Sequence, residues 1–171
     1  MRWPAFFILA YLTLGLQQGL SGYMRVGRGQ PDLVLLVAIF IAANAPRNPA
    51  LLACFALGAM QDLLTQNPWG FNAFTYGLVG VFVIATHELV YREHILTHFS
   101  LALIGSWIVA VMILLHRWVY GMLHANSKLT RPSIVSLLTG SLYTAVLAIP
   151  VTLLLLKMRK SFGFRAPRGR G

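Results

Sequence analysis

The chain reads as an all-α integral membrane protein, a six-transmembrane-helix bundle, and three observations predict it. Of its 171 residues, 57% are hydrophobic and only 11% are charged, whereas soluble domains carry about 25% charged residues. A water-soluble fold of this size would lack the polar residues to cover its core. Apolar runs near the roughly 20 residues that cross a bilayer as a helix recur along the chain, separated by short polar or proline-containing breaks. The alternating segments of about ten residues that mark a membrane β-barrel are missing.

The first predicted helix covers 3–20, with Gln17 and Gln18 near its end. It is longer than a signal-peptide core of about 7–15 residues, and Gly19-Leu20-Ser21 is a weak cleavage site, so it is expected to be retained. Gly15 and Gly19 have the small-xxx-small spacing that lets helices approach closely. A polar loop with Arg25 and Arg28 follows. Pro31 suits the first position of a helix, and Asp32 suits the positive end of its macrodipole. The second helix, 31–45, offers a small-residue face at Ala38 and Ala42.

Pro46-Arg47-Asn48-Pro49 is a tight breaker. The third helix, 50–64, carries Gly58, Gln61 and Asp62. Residues 65–72 form an uncharged turn containing Gly70 and Asn72. The fourth helix, 73–90, contains Gly77 and Gly80. After a mixed-charge loop, the fifth helix covers 100–123. Its outer half has the interfacial composition His116, Arg117, Trp118 and Tyr120. The sixth helix covers 134–156, so residues 1–156 are expected to be a single transmembrane domain. A basic tail, 157–171, follows.

The formal net charge is +10. In a soluble protein this would point to nucleic acid. Here the placement does not, because Lys157, Arg159, Lys160, Arg165, Arg168 and Arg170 crowd together just after an apolar run. That pattern is a cytoplasmic anchor obeying the positive-inside rule, able to touch anionic membrane lipid. No nucleic-acid partner is expected.

Six spans put both termini on one side. With Arg2, Arg47, Arg92 and the tail cations on that side, it holds nine Lys and Arg. The other side holds five: Arg25, Arg28, Arg117, Lys128 and Arg131. Both termini are therefore expected in the cytoplasm.

Acidic side chains are scarce, four in all, and two of them, Asp32 and Asp62, lie in the apolar stretch 31–80. Under the topology above, Asp32 lies at the outer boundary. At about 1.5 Å per residue, Asp62 stands roughly 20 Å up a core of about 30 Å. Asn72 begins the fourth helix on that same side. An ionisable group at membrane depth faces protein or water, which makes Asp62 the leading candidate position. Its acceptors suit the Asn72 amide, Thr65, or the free N–H groups that begin the fourth helix. The favoured role is a staple between helices, with a ligand or proton site as the alternative.

Other chemistry finds little support. His87-Glu88 would need a histidine at position 91 to make a zinc HExxH motif, and position 91 is Tyr91. His94 and His98, four apart, lack further ligands. Cys54, the lone cysteine, sits in an apolar run as a packing residue. No phosphate-binding loop, nucleophile elbow, paired-carboxylate signature or internal repeat is present. No metal or cofactor is expected. An intramembrane enzyme would have to be built from Asp32 and Asp62, and two such carboxylates work together only within a few ångströms.

The stretch 31–80 resembles the MreD family of bacterial rod shape-determining membrane proteins. Four features carry the resemblance, in order and spacing: Pro31-Asp32 before a leucine/valine run; Gly58-x-x-x-Asp62-Leu63-Leu64; Pro68-x-Gly70-x-Asn72-Ala73; and Tyr76-Gly77-Leu78-Val79-Gly80. Beyond it the likeness lies in length, span count and hydropathy.

The resemblance implies a non-enzymatic inner-membrane part of the cell-elongation machinery. Its direct partner would be the bitopic protein MreC. Through MreC it would reach the MreB filament, RodA and penicillin-binding protein 2, supporting lateral peptidoglycan synthesis and rod shape. It also implies similarity to the fold of the substrate-binding S-components of energy-coupling-factor transporters. The competing expectation is an S-component itself, binding a small vitamin. The docking motif Ala-xxx-Ala is not matched by Ala5 and Ala10, which are five apart.

Overall fold

The apolar runs fold into six α-helices in the computed structural model: α1 (Trp3–Leu20), α2 (Leu33–Asn44), α3 (Arg47–Leu64), α4 (Phe71–His87), α5 (Ile95–Leu123) and α6 (Ile134–Phe162). The structure describes residues 3–20, 22–23, 31–65, 68, 70–87, 95–123 and 134–162. No strand occurs among them.

Several helix limits differ from those the sequence predicts. α2 spans Leu33–Asn44 against an expected 31–45, because Asp32 is its N-cap. α3 begins at Arg47, because Pro49 falls in its first turn, where a missing N–H breaks no intrahelical bond. α4 begins at Phe71, because the N–H groups of Gly70, Asn72 and Ala73 receive a side-chain cap. α5 starts at Ile95, before the apolar run proper. α6 continues to Phe162, since Lys157, Arg159 and Lys160 are good helix formers and cations suit a helix C-terminus. The last six residues of α6 therefore belong to the stretch expected to be tail.

Two segments are long and apolar enough to cross a membrane, Phe99–His116 in α5 and Leu138–Lys157 in α6. Only 22% of the first and 33% of the second is buried inside the chain, which separates them from the core helices of a soluble protein. α2 and Phe71–Thr86 of α4 are shorter apolar helices. Large apolar side chains such as Phe7, Phe55, Leu63, Phe74 and Trp107 face outward, as lipid-facing side chains do.

α2 is the axis of the bundle. Every residue from Leu33 to Ala42 is buried, and α2 meets all five other helices. It is hydrophobic all round, as a helix enclosed by neighbours must be. Its 12 residues rise only about 18 Å, short of the roughly 30 Å hydrocarbon core.

α3 and α4 make the most extensive helix pair, and two close approaches fix them. The α-carbon of Gly58 faces the backbone of Asn72 and Ala73; a Cβ there would stand 2.5 Å from Ala73 Cα and 2.6 Å from Ala73 N. Further along, a Cβ on Gly80 would stand 3.0 Å from Cys54 Sγ. The Cys54 thiol donates to Ala38 O at 3.4 Å, so α2, α3 and α4 meet at Cys54.

A candidate functional site at the polar end of the bundle

Asp62 sits in the last turn of α3 and is 7% exposed. Its Oδ1 accepts the backbone N–H of Asn72 at 3.0 Å. Its Oδ2 accepts those of Gly70 and Ala73, both at 3.1 Å. The carboxylate therefore caps α4 from a neighbouring helix, taking three donors that the start of a helix leaves without intrahelical partners. The negative charge also complements the positive end of the α4 dipole.

The chain can make this approach because Gly70 has φ +88°, a left-handed conformation open to glycine at little cost. Of the three kinds of donor expected for Asp62, the backbone N–H groups are the ones used. The Asn72 side-chain amide donates instead to Thr65 Oγ1 at 3.2 Å, and the Thr65 hydroxyl donates to Gln61 O at 2.9 Å. The turn is thus bonded at its start, its end and its flank.

Asp32 caps α2 in the conventional sense, from the N-cap position, with Oδ1 accepting from Leu35 N at 2.9 Å. Its Oδ2 accepts from the Tyr76 hydroxyl at 2.7 Å, and its own N–H donates to Thr144 Oγ1 of α6 at 3.1 Å. Gln17 of α1 clasps the same corner. Its Nε2 donates to Pro31 O at 3.0 Å, and its Oε1 accepts from Leu33 N at 2.9 Å. The start of α2 is thereby held by side chains of α1, α4 and α6, with its backbone groups satisfied inside protein.

The structure brings Gly58, Asp62, Gly70 and Asn72 together at the α3–α4 junction, and Pro31 and Asp32 together at the head of α2. Tyr76 joins the two groups, since it lies one turn beyond Asn72 on α4. Gly77 and Gly80 stand apart from the polar end. A Cβ on Gly77 would meet only Phe55, at 3.9 Å, which is ordinary contact. Ala38 and Ala42 are buried. A Cβ on Gly15 or Gly19 would meet nothing within 4 Å, so no close packing uses their spacing among the described residues.

Sequence reasoning missed Gln17, Tyr76 and Thr144 as members of the network. Gln17 had a signal, as an amide at the end of an apolar helix. Thr144 had none, because 112 residues separate it from its partner. Gln61, 8% exposed, buries an Oε1 that meets no hydrogen-bond donor among the described residues.

Chemically, both carboxylates are engaged. Each accepts backbone N–H groups, Asp32 accepts a phenol as well, and no hydrogen bond among the described residues joins one to the other. No group of three His, Cys, Asp or Glu able to hold a metal occurs among the described residues. Glu88 and His94 lie outside them.

A family model described as rod shape-determining protein MreD matches residues 1–159. No curated protein matches the chain, and no solved structure matches it.

Proposed function

The chain belongs to the MreD family of rod shape-determining membrane proteins, a shape-determining structural family of the rod-shape machinery, and from that membership we propose a non-catalytic scaffold that binds MreC. Through MreC it supports lateral peptidoglycan synthesis alongside MreB, RodA and penicillin-binding protein 2. The observation that carries the reading is the family match over residues 1–159 of 171. The match covers all six helices but for the last three residues of α6.

In this reading all six helices span the cytoplasmic membrane as one domain, with both termini in the cytoplasm. The shorter helices fit because their ends are capped by protein groups within the bundle. Pro31, Asp32, Gly58, Asp62, Gly70 and Asn72 hold the geometry of α2, α3 and α4, and partners meet the outward-facing surfaces that this geometry presents.

The engagement of both carboxylates supports a structural role over an enzymatic one, since neither is left free to transfer a proton or attack a substrate. A vitamin-binding S-component would need polar groups aimed into a cleft. The polar groups of the network here are turned on one another. The S-component-like fold remains the proposed architecture, with the ligand-binding activity set aside.

The deciding experiment is affinity purification of the full chain from native membranes with identification of what accompanies it. Recovery of MreC and the elongation proteins is expected. Recovery of a bound vitamin or an energy-coupling subunit in their place would overturn the assignment.

A further inference from the structure

α1 packs on α2, but its contact with α6 is slight. Between α1 and α6, floored by α2, lies an apolar groove of about 440 Å³. Ile8 and Leu12 form the α1 wall, Val151, Leu154 and Leu155 the α6 wall, and Val37 the floor. Thr13 is the one polar side chain along it, and its hydroxyl already donates to Leu9 O at 2.7 Å within α1. The groove therefore offers a polar ligand no free donor, and hydrocarbon is what its walls suit.

The groove also has a direction. Ala5, near the start of α1, and Leu154 and Leu155, near the end of α6, share its lining. One mouth thus opens where these two helix ends meet. On α6, Leu154 of the groove wall is followed one turn later by Lys157, which is exposed, and the sequence continues with Arg159 and Lys160. In a chain with 14 Lys and Arg against 4 Asp and Glu, nothing acidic lies between Leu155 and the C-terminus to answer these cations.

We propose that the α1–α2–α6 groove binds one acyl chain of an anionic phospholipid, whose phosphate is held at the basic end of α6 that Lys157 begins. A zwitterionic lipid fills the apolar part equally well but leaves the cations without a net countercharge. Charge complementarity thus selects the anionic headgroup, as it does for basic sites beside membrane helices. The site does not depend on which protein the scaffold binds.

The test places the full chain in nanodiscs of phosphatidylethanolamine with a minority of phosphatidylglycerol. Lipid retained after gentle extraction is counted by native mass spectrometry. One phosphatidylglycerol per chain is expected, preferred roughly thirtyfold over phosphatidylethanolamine, on the scale of two membrane-proximal cations. The double variant Lys157→Gln/Arg159→Gln should lose that preference. Ile8→Trp and Leu12→Trp fill the groove from positions 61% and 53% exposed, so both should fold and both should lose retention of either lipid.

A diazirine-bearing phosphatidylglycerol acyl chain gives a second readout on the unaltered protein, with crosslinks expected at Ile8, Leu12 and Leu154. Four results would overturn the proposal: equal retention of the two lipids, a preference that survives loss of the two cations, crosslinks confined to other helices, or a partner helix or second copy found crosslinked in the groove in place of lipid.

Discussion

The Tyr76 hydroxyl donates to Asp32 Oδ2 at 2.7 Å across 44 residues of sequence, joining the middle of α4 to the head of α2. Both residues are also tied elsewhere, Asp32 to Leu35 N and Thr144 Oγ1, and Tyr76 to the core in which it is 1% exposed. The bond therefore sets the height of α2 against α4. Tyr76→Phe removes the donor while keeping the ring. Hydrogen bonds to charged groups contribute roughly 1.5–3 kcal/mol in water-soluble proteins, and interhelical bonds in membranes about 0.6 on average. A loss of about 1–2 kcal/mol is expected in thermal unfolding of the purified protein. An unchanged midpoint would show that the bond does not hold the helices.

Asp62→Ala should be the most damaging single change at the polar end. It leaves the N–H groups of Gly70, Asn72 and Ala73 without their acceptor, at about 1–3 kcal/mol for each buried group that finds no other partner. The expected loss is roughly 3–5 kcal/mol, with co-purification of MreC abolished and rod shape lost in cells. Asp62→Asn keeps one oxygen but turns an NH₂ toward donors, so an intermediate loss of about half that size is expected. Rod-shaped cells and an intact complex carrying Asp62→Ala would remove the structural role assigned to this carboxylate.

The acids were legible because they are rare. In a chain with 4 Asp and Glu, a carboxylate inside an apolar run announces a buried partner, and the glycine-containing turn that ends ten residues on from Asp62 marks where that partner lies. The identity of the donors was not legible. Whether Asp62 meets the Asn72 amide or the α4 backbone depends on the path of the turn, which Gly70 sets by its positive φ. The Asp32 corner was half legible, since N-capping is local while Gln17, Tyr76 and Thr144 arrive through tertiary packing. Helix limits failed where composition and capping disagree. Arg47 to Pro49 looks like a breaker but fits a first turn, and the cations after Leu156 look like a tail but continue α6.

Helical glycines should separate by what faces them. At Gly58 an added methyl meets backbone atoms of Asn72 and Ala73, which cannot rotate away. Gly58→Ala must then push α3 from α4 and lengthen the Asp62 hydrogen bonds. Overpacking of this kind costs about 1–3 kcal/mol, occasionally more, and the upper end is expected. Gly15→Ala and Gly19→Ala meet nothing within 4 Å and gain helix propensity of about 0.8–1 kcal/mol each, so neither should lower stability. If the exposed α1 face receives a partner helix, those two variants should nonetheless weaken recovery of MreC. Full recovery with both alanines in place would move the partner surface away from α1.

Gly80 and Cys54 should behave as a coupled pair. A Cβ on Gly80 would stand 3.0 Å from Cys54 Sγ and 3.1 Å from its Cβ, tighter than most Cβ contacts, and Cys54 is fully buried. Gly80→Ala alone is expected to destabilise by about 1–2 kcal/mol. Cys54→Ala alone removes the sulfur, its weak bond to Ala38 O and its packing, at about 1 kcal/mol by the scale of a small core truncation. Combined, the alanine methyl occupies part of the space the sulfur leaves. The double variant should then be more stable than the sum of the two losses, by about 1 kcal/mol, the coupling that neighbours in contact show. The measurement is a double-mutant cycle on unfolding midpoints in one detergent. Strict additivity would mean that α3 and α4 relax apart at this level and that their separation is fixed at Gly58 alone.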